Sequence, residues 1–260
     1  MPHRNTPWPT GTPCWIQLLG RDPAATKEFY TGLLGWEAGD GLPETGHYVS
    51  ATLDGRRVAG LGGRRADADG PAAWLTYLAS DDVAATLERV RAAGGTVLSE
   101  PTELPGLGTS AVAADPQGHQ FGVWEASGHI GCEVYNEPGA PIWNELMTAD
   151  AEAVLAFYTD VFGYQPQQIG DGERFVYWTL GVDGRPVGGL GRGGGEGAPT
   201  GWLTYVAVAD TDTALARAVE LGATVVDPAE DTDFGRMATF AGPDGERLSV
   251  MTPPEGSAQE

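Results

Sequence analysis

Short apolar runs and amphipathic stretches alternate along the chain in a regular order. Cys14–Leu19 is a short, mainly apolar run of the length and composition typical of a strand. Asp22-Pro23 then begins a segment with apolar residues at helical spacing, which stops at Gly35. The pattern predicts a strand followed by a helix, with Asp22 as the N-cap and Gly35 just past the end.

The remaining elements follow from the same reading. Asp54-Gly55 and Asp183-Gly184 each separate two short apolar runs, which indicates a hairpin. The predicted strands are Tyr48–Leu53, Arg57–Leu61, Trp74–Ala79, Thr96–Leu98, Thr109–Ala113, Gln120–Trp124, Phe175–Leu180 and Pro186–Leu190, with a further helix over Asp82–Ala93.

The chain contains two copies of one domain. Pro13–Trp36 matches Pro141–Tyr164 at an offset of 128 (141 − 13), and Trp74–Asp82 matches Trp202–Asp210 at the same offset (202 − 74). Such a constant offset is the signature of an internal duplication. We therefore predict domains over residues 1–128 and 138–254, a linker over 129–137 and a tail over 255–260.

Charge narrows the possible partners. The formal net charge is −21, which disfavours nucleic acid and anionic membrane surfaces. No apolar run reaches the roughly 18 residues of a membrane helix, and the N-terminus lacks the apolar region of a signal peptide. Two cysteines form neither a disulfide framework nor a metal-binding knuckle. These features predict a cytoplasmic protein that binds neither nucleic acid nor a membrane.

The order of the motifs resembles the vicinal oxygen chelate superfamily, which includes glyoxalase I, extradiol dioxygenases and bleomycin-type resistance proteins. The resemblance rests on the motifs Asp22, Phe29-Tyr30, Gly35-Trp36, Gly94-Gly95 and Asp115-Pro116-x-Gly118, which the second half repeats with Gly242 in place of Asp115. It implies an α+β fold with two tandem domains, each of paired βαβββ modules that form a cup-shaped sheet. The resemblance extends to a tandem actinobacterial subgroup often labelled hydroxylase, and it implies a monomer or a homodimer.

The resemblance also implies positions for metal ligands on the inner face of each cup. They fall on Trp15, Gly60, Leu75 and Gly122 in the first copy, and on Trp143, Gly189, Leu203 and Ser249 in the second. None of the eight is His, Asp or Glu. The four histidines, His3, His47, His119 and His129, all precede Gly131, and His119 and His47 are interpreted as turn and surface residues. We therefore expect neither a metal nor another cofactor.

Strand alternation assigns the residues that line the cups. Glu145 is the one carboxylate predicted on a cup-forming strand of the second copy, and Gln17 is its counterpart in the first. We predict Glu145 and Tyr205 as catalytic residues. The predicted substrate-binding residues are Trp143, Met147, Tyr177 or its neighbour Trp178, Leu203, Arg236, Ser249 and Met251 in the second copy, with Trp15, Gln17, Tyr77 and Trp124 in the first.

Several functions are compatible with these residues. The leading hypothesis is a metal-independent enzyme that binds a hydrophobic or aromatic metabolite and catalyses cyclisation, dehydration or isomerisation, in natural-product tailoring. Glu145 is then the acid/base, unless it forms a structural ion pair with Arg236. The alternatives are a protein that sequesters a drug or metabolite, a metal-dependent lyase or dioxygenase, and an interaction protein whose cups are filled by side chains.

Overall fold

The two halves of the chain form two mixed sheets of similar design. A computed structural model describes residues 3–64, 72–170, 175–193 and 200–254, so the predicted tail over 255–260 lies outside the described residues. The α+β fold with tandem domains is confirmed. No helix among the described residues is long and apolar enough to cross a membrane.

The first half contains seven strands and two α-helices within the described residues, besides a single 3-10 turn at Pro43–Thr45. They are β1 (Pro13–Gly20), α1 (Pro23–Leu34), β2 (Val49–Leu53), β3 (Arg56–Gly63), β4 (Trp74–Ala79), α2 (Val83–Ala92), β5 (Thr96–Leu104), β6 (Gly108–Ala114) and β7 (Gln120–Ala126).

The described part of the second half repeats this order with one additional strand. Its elements are β8 (Pro141–Thr148), α3 (Ala151–Phe162), β9 (Gln165–Gln168), β10 (Tyr177–Val182), β11 (Arg185–Arg192), β12 (Gly201–Ala207), α4 (Thr211–Glu220), β13 (Thr224–Thr232), β14 (Gly235–Ala241) and β15 (Arg247–Thr252).

Each sheet is assembled from two modules that meet at a central antiparallel pair. The first sheet has the order β2-β3-β1-β4-β7-β6-β5, and the second has the order β13-β14-β15-β12-β8-β11-β10-β9. The central pair is β1 with β4 in the first sheet and β8 with β12 in the second. In each module the first strand also pairs in parallel with the last, as β8 does with β11. The four first strands therefore lie at the centres of the sheets.

The local turn chemistry agrees with the sequence. The Asp22 carboxylate accepts hydrogen bonds from the backbone of the first turn of α1, and Gly35 ends the helix in the left-handed conformation. Asp54 and Gly55 both have positive φ angles, 50° and 73°, as a tight hairpin turn requires. These residues fix the helix ends and the hairpin register by local geometry alone.

Two strand predictions differ from the structure. β5 continues past the predicted end at Leu98 and through Pro101, because it is an edge strand with a register irregularity between Ser99 and Thr102, where proline is tolerated. In the first module of the first domain, a single bridge between Glu37 and Thr52 takes the place of a fourth strand. The predicted βαβββ pattern is therefore incomplete there.

The hydrophobic cores join the two domains. Phe29 and Tyr30 of α1 belong to the same buried cluster as Phe240 and Leu248 of the second sheet, and the Phe29 and Phe240 rings lie 5.9 Å apart. A second cluster joins α2 and the first sheet to α3, including Phe121. Because each helix layer is shared, neither half buries its apolar surface independently.

A buried hydrogen-bond chain crosses this interface. The fully buried Tyr30 hydroxyl donates to Glu246 Oε1 at 2.7 Å and accepts from Trp74 Nε1 at 3.1 Å. Burial raises the pKa of Glu246, and the bond from Tyr30 opposes that shift. Tyr30 therefore satisfies two buried polar groups, one from each domain.

We expect Tyr30→Phe to lower the free energy of unfolding by about 1–3 kcal/mol, because both partners lose a hydrogen bond inside the protein. Urea unfolding measures the change. Tyr135→Phe is the matched control, since no hydrogen bond of the Tyr135 hydroxyl is found within the described residues, and we expect it to stay within about 0.5 kcal/mol of the parent. Equal effects would contradict this role for Tyr30.

Candidate active site

The two faces of β8 are distinct. Ile142, Asn144 and Leu146 are buried, whereas Glu145 and Met147 alternate with them and are partly exposed, as is Trp143. This is the alternation that the sequence predicts for a strand with one face toward a cup. Glu145 therefore points into the second cup from the central strand of its sheet.

Two tyrosine hydroxyls hold the Glu145 carboxylate. Tyr205 donates to Oε1 at 2.8 Å, and Tyr177 donates to Oε2 at 2.9 Å. Trp143 Nε1 in turn donates to the Tyr177 hydroxyl at 2.9 Å. The buried Ser249 lies beside Tyr205 in the parallel strand register, and its hydroxyl lies 2.9 Å from that of Thr239. Each carboxylate oxygen thus has its own oriented donor.

Burial dominates the electrostatics of this group. Desolvation raises the pKa of Glu145, and the hydrogen bonds from Tyr205 and Tyr177 only partly oppose it. The pKa values of Tyr177 and Tyr205 are also raised, first by burial and then by the neighbouring carboxylate. Both tyrosines therefore remain protonated donors, while Glu145 exchanges its proton closer to neutral pH than an exposed glutamate.

Arg236 does not pair with Glu145. Its guanidinium contacts Asp212 Oδ1 at 2.9 Å and Asp231 Oδ1 at 3.0 Å. The alternative of a structural ion pair between Glu145 and Arg236 is therefore wrong. The strand register explains the error, because Arg236 pairs with Thr252 at the far end of β15.

The second cup opens into a cavity of about 790 Å³ above Glu145. Of the predicted substrate-binding residues, Trp143, Met147, Tyr177 and Met251 line it, together with the proposed catalytic Glu145 and Tyr205. The sequence analysis did not identify as site residues the remaining wall and mouth residues: Ile142, Ile169, Phe175, Thr179, Pro186, Asp231, Thr232, Asp233, Phe234, Met237, Pro253 and Pro254.

Besides Arg236, three predicted residues of the second copy do not line this cavity. Trp178 packs against the core on the opposite face, because neighbouring residues of β10 point to opposite sides and Tyr177 points inward. Leu203 lies beside Glu145 in the register of β8 and β12 but is not among the residues that line the cavity. Ser249 is fully buried beneath Tyr205.

The first cup repeats part of the arrangement with different chemistry. Trp15 Nε1 donates to the Tyr48 hydroxyl at 3.1 Å, as Trp143 does to Tyr177. The counterpart of Glu145 is Gln17, whose Oε1 accepts from Tyr77 at a longer 3.4 Å. The copies thus share the tryptophan–tyrosine pair but differ in the ionisable group.

The segment predicted as a linker packs against the first cup. The His129 ring lies 4.6 Å from that of Trp15, and its backbone oxygen accepts from Trp124 Nε1 at 2.7 Å. Burial lowers the pKa of His129 to about 4. The Cys132 backbone nitrogen donates to the Cys14 oxygen at 2.7 Å. Three residues predicted to line the first cup, Trp15, Tyr77 and Trp124, are accordingly buried.

The strand register of the sheet assigns the positions that correspond to metal ligands to other residues than the sequence alignment did. Gly189 pairs with Glu145, and Ser249 pairs with Tyr205. The four positions that correspond to metal ligands therefore form a ring of Gly189, Glu145, Ser249 and Tyr205 on the inner face of the cup. The alignment had implied Trp143 and Leu203 in place of Glu145 and Tyr205. The first cup shows the same register, with Gln17 beside Gly60 and Tyr77 beside Gly122.

The residues of this ring do not fit a divalent ion. A bound metal of the type used by such folds takes several His or carboxylate ligands, and Glu145 is the one such group in the ring. A side chain built on Gly189 would come within 1.7 Å of the Tyr177 hydroxyl, which occupies that space. No group of three His, Cys, Asp or Glu side chains in the described parts of the chain could hold a metal ion.

The two histidines near turns have structural partners. His119 Nδ1 lies 2.8 Å from Asp115 Oδ2, and its side chain is 9% exposed, so it is more buried than a half-exposed turn residue. The exposed His47 contacts the Gly41 oxygen at 3.1 Å. Both are held at turns and neither lines the second cup.

The fold is that of a tandem protein with two cup-shaped sheets, and the cup of the second domain opens into a cavity. The family model of the Glyoxalase/Bleomycin resistance protein/Dioxygenase superfamily matches residues 14–123 and again residues 136–250. The chain belongs to this superfamily.

Several proteins are similar to this chain over nearly its full length. The protein named "Putative glyoxylase CFP32" of Mycobacterium bovis is 37% identical, with 97% of this chain and 98% of that protein covered. The anthracycline biosynthesis protein DnrV of Streptomyces peucetius is also 37% identical, with 95% and 94% covered. The Mn(II)-bound glyoxalase from Novosphingobium aromaticivorans is similar in fold, with a TM-score of 0.64, 21% identity, and 94% and 83% covered.

Because the native Glu145 holds its proton to higher pH than the unfolded chain does, wild-type stability falls as pH rises from the ordinary glutamate pKa through the raised one. Glu145→Gln removes this loss. We therefore expect the variant to gain stability relative to wild type between about pH 4 and pH 8. Each tenfold difference in the proton affinity of Glu145 between the native and the unfolded chain contributes about 1.4 kcal/mol to this change in the free energy of unfolding. Urea unfolding at both pH values measures it.

Asp233→Asn is the control, because this carboxylate lines the same cavity but is exposed. Its stability difference from wild type should vary little with pH. A difference for Glu145→Gln that stays constant, or that changes in the opposite direction, would show that Glu145 is not destabilised by burial.

Proposed function

We propose that the protein is a metal-independent enzyme that binds a hydrophobic, aromatic small molecule in its second cup and transfers protons with Glu145. One observation carries the proposal: a desolvated carboxylate, without a cation among its described partners, faces an aromatic cavity between two tyrosine donors. Such a carboxylate is costly to bury and has the raised pKa that suits a general base.

The cavity walls support an aromatic substrate. Trp143, Tyr177, Phe175 and Phe234 offer flat or edge contacts to a ring system, and Met237 and Met251 adapt to its outline. A volume of about 790 Å³ falls within the range of small-molecule sites. The relatives DnrV and DauV are named for anthracycline biosynthesis, which supports natural-product tailoring and a fused aromatic polyketide as the substrate class.

The geometry suggests a sequence of proton transfers. Glu145 takes a proton from a carbon next to a carbonyl group, and the electron pair of that C–H bond moves into an enolate. Once one carboxyl oxygen carries the proton, it accepts a hydrogen bond less well. The hydroxyl of Tyr205 can then turn to the enolate oxygen, where charge develops. Return of the proton to another carbon gives isomerisation. Attack of the enolate carbon on a second carbonyl forms a carbon–carbon bond and an alkoxide, and Glu145 returns its proton to this alkoxide, which gives cyclisation.

Neighbouring groups support the roles of Glu145 and Tyr205. The hydroxyl of Tyr177 is held by Trp143 Nε1 and by Glu145, so it orients the carboxylate. Ser249 is buried beside Tyr205 in the strand register. Tyr177 is therefore a positioning residue, while Tyr205 is the donor that can reach a substrate oxygen. Glu145 acts in an apolar setting that shields the transferred proton from water.

Proton exchange tests the proposal without the natural substrate. With 2-tetralone as the probe, we expect the wild-type protein to accelerate exchange of the acidic C1 protons in D₂O, followed by NMR. Glu145→Gln should lower this rate by about 100-fold or more, because general-base catalysis contributes factors of that size. Asp233→Asn should leave the rate within about twofold, since this exposed carboxylate adds only a screened charge at the mouth.

Binding of the probe, measured by tryptophan quenching, is read in parallel. If wild type and both variants bind it equally and none catalyses exchange, the protein sequesters ligands and the proposal fails. A chelator should leave the exchange rate unchanged. Loss of exchange on chelation, restored by a divalent ion, would establish the metal-dependent alternative instead.

A further inference from the structure

A second cavity lies between the two domains, behind the cup. It measures about 840 Å³, slightly more than the cup itself. The N-terminal segment contributes Trp8, the segment between the domains contributes Tyr135, and the first residue of β11 is Arg185. Trp143 lines both cavities, so its indole forms a shared wall between them. The proposed chemistry at Glu145 uses none of the other groups named here.

A buried amide at this cavity has unused donors. Asn144 is 7% exposed and lines the cavity, and its Oδ1 accepts from Thr204 at 2.7 Å and from Thr76 at 3.3 Å. These two hydroxyls come from different domains and fix the amide so that Nδ2 points away from them. No hydrogen bond from Nδ2 is found among the described residues, and Nδ2 is not one of the buried atoms that lack a partner. Nδ2 is therefore open to the cavity, where an acceptor atom of a ligand can take its hydrogen bond.

The charge of the cavity is unusual for this chain. Two arginines, Arg4 and Arg185, face one carboxylate, Asp183. The chain as a whole carries 36 acidic and 15 basic residues. The described wall of the cup shows the opposite balance, because Glu145, Asp231 and Asp233 line it without a lysine or arginine. The interdomain cavity therefore favours an anion, whereas the cup disfavours one.

Aromatic rings form the rest of its wall. Trp8 and Tyr135 meet edge to face with ring centroids 5.1 Å apart, and the Arg4 guanidinium lies 4.5 Å above the Trp8 ring. The Trp8 Nε1 donates to the Cys132 oxygen at 3.1 Å, which fixes the indole. A fixed aromatic wall next to a guanidinium suits a flat ring that carries a negative group.

We propose that the interdomain cavity is a second binding site, which takes an aromatic anion. The rings of the ligand pack on Trp8, Tyr135 and the outer side of Trp143. Its negative group lies toward Arg4 and Arg185, and an acceptor atom takes the hydrogen bond of Asn144 Nδ2. The site is separate from the cup and its occupancy does not depend on the function proposed for Glu145.

Titration with anthraquinone-2-sulfonate, followed by tryptophan quenching and by calorimetry, tests this site. We expect saturable binding that Arg185→Glu weakens at least about fivefold, because the substitution replaces an attraction by a repulsion at a partly solvated position. Arg56→Glu is the matched control. Arg56 follows the hairpin turn of the first domain as Arg185 follows that of the second, and it does not line the cavity. It should leave the affinity unchanged.

Phe234→Ala removes a wall of the cup only and should not weaken binding of the sulfonate. Three results would overturn the proposal: no saturable binding at millimolar probe, equal weakening by Arg185→Glu and Arg56→Glu, or weakening by Phe234→Ala but not by Arg185→Glu. The last result would place the anion in the cup. Failure of the proton-exchange experiment leaves this binding experiment unaffected, so the two proposals fail separately.

Discussion

The desolvated carboxylate of Glu145 is the constraint on which the site depends. Two tyrosine hydroxyls hold it, and no cation within the described structure does so. An uncompensated charge in an apolar cavity is unfavourable, and the tyrosine hydrogen bonds offset only part of the cost. The tandem scaffold supplies the remaining stability through cores shared between the domains. The protein can therefore keep one destabilised group where a ligand binds.

A comparison of the two copies separates the cup residues that both domains share from those that differ between them. Both cups keep the tryptophan–tyrosine pair, Trp15 with Tyr48 and Trp143 with Tyr177. They differ at Gln17 and Glu145, and in what covers the aromatic wall. The segment around His129 packs on the first cup, whereas the second opens into a cavity. Ionisable chemistry and an open cavity thus coincide in one of the two copies.

The sequence predicts much of the fold because its signals are local or repeated. The Asp22 and Gly35 caps, the Asp54-Gly55 turn and the constant offset are all visible in one chain. The cup face of β8 also follows from alternation, which correctly places Trp143, Glu145 and Met147. Features that depend on the pairing of distant strands could not be predicted from the sequence. The register of β8 with β11, the partners of Arg236 and the choice of Tyr177 over Trp178 all required the sheet. Phe234 and Phe175 reach the cavity only through its assembly, and no local pattern marks them.

The pKa of Glu145 is the quantity that the whole account requires to be abnormal. Carbon-13 labelling of the glutamate carboxyl groups, with Glu145→Gln to assign the resonance, gives this pKa directly from the chemical shift across a pH titration. The account predicts a midpoint above the ordinary glutamate range, in a signal that the variant lacks. A midpoint within or below that range would mean that a stabilised carboxylate occupies the cup, and the proposed role of Glu145 as a proton-transfer base would be contradicted.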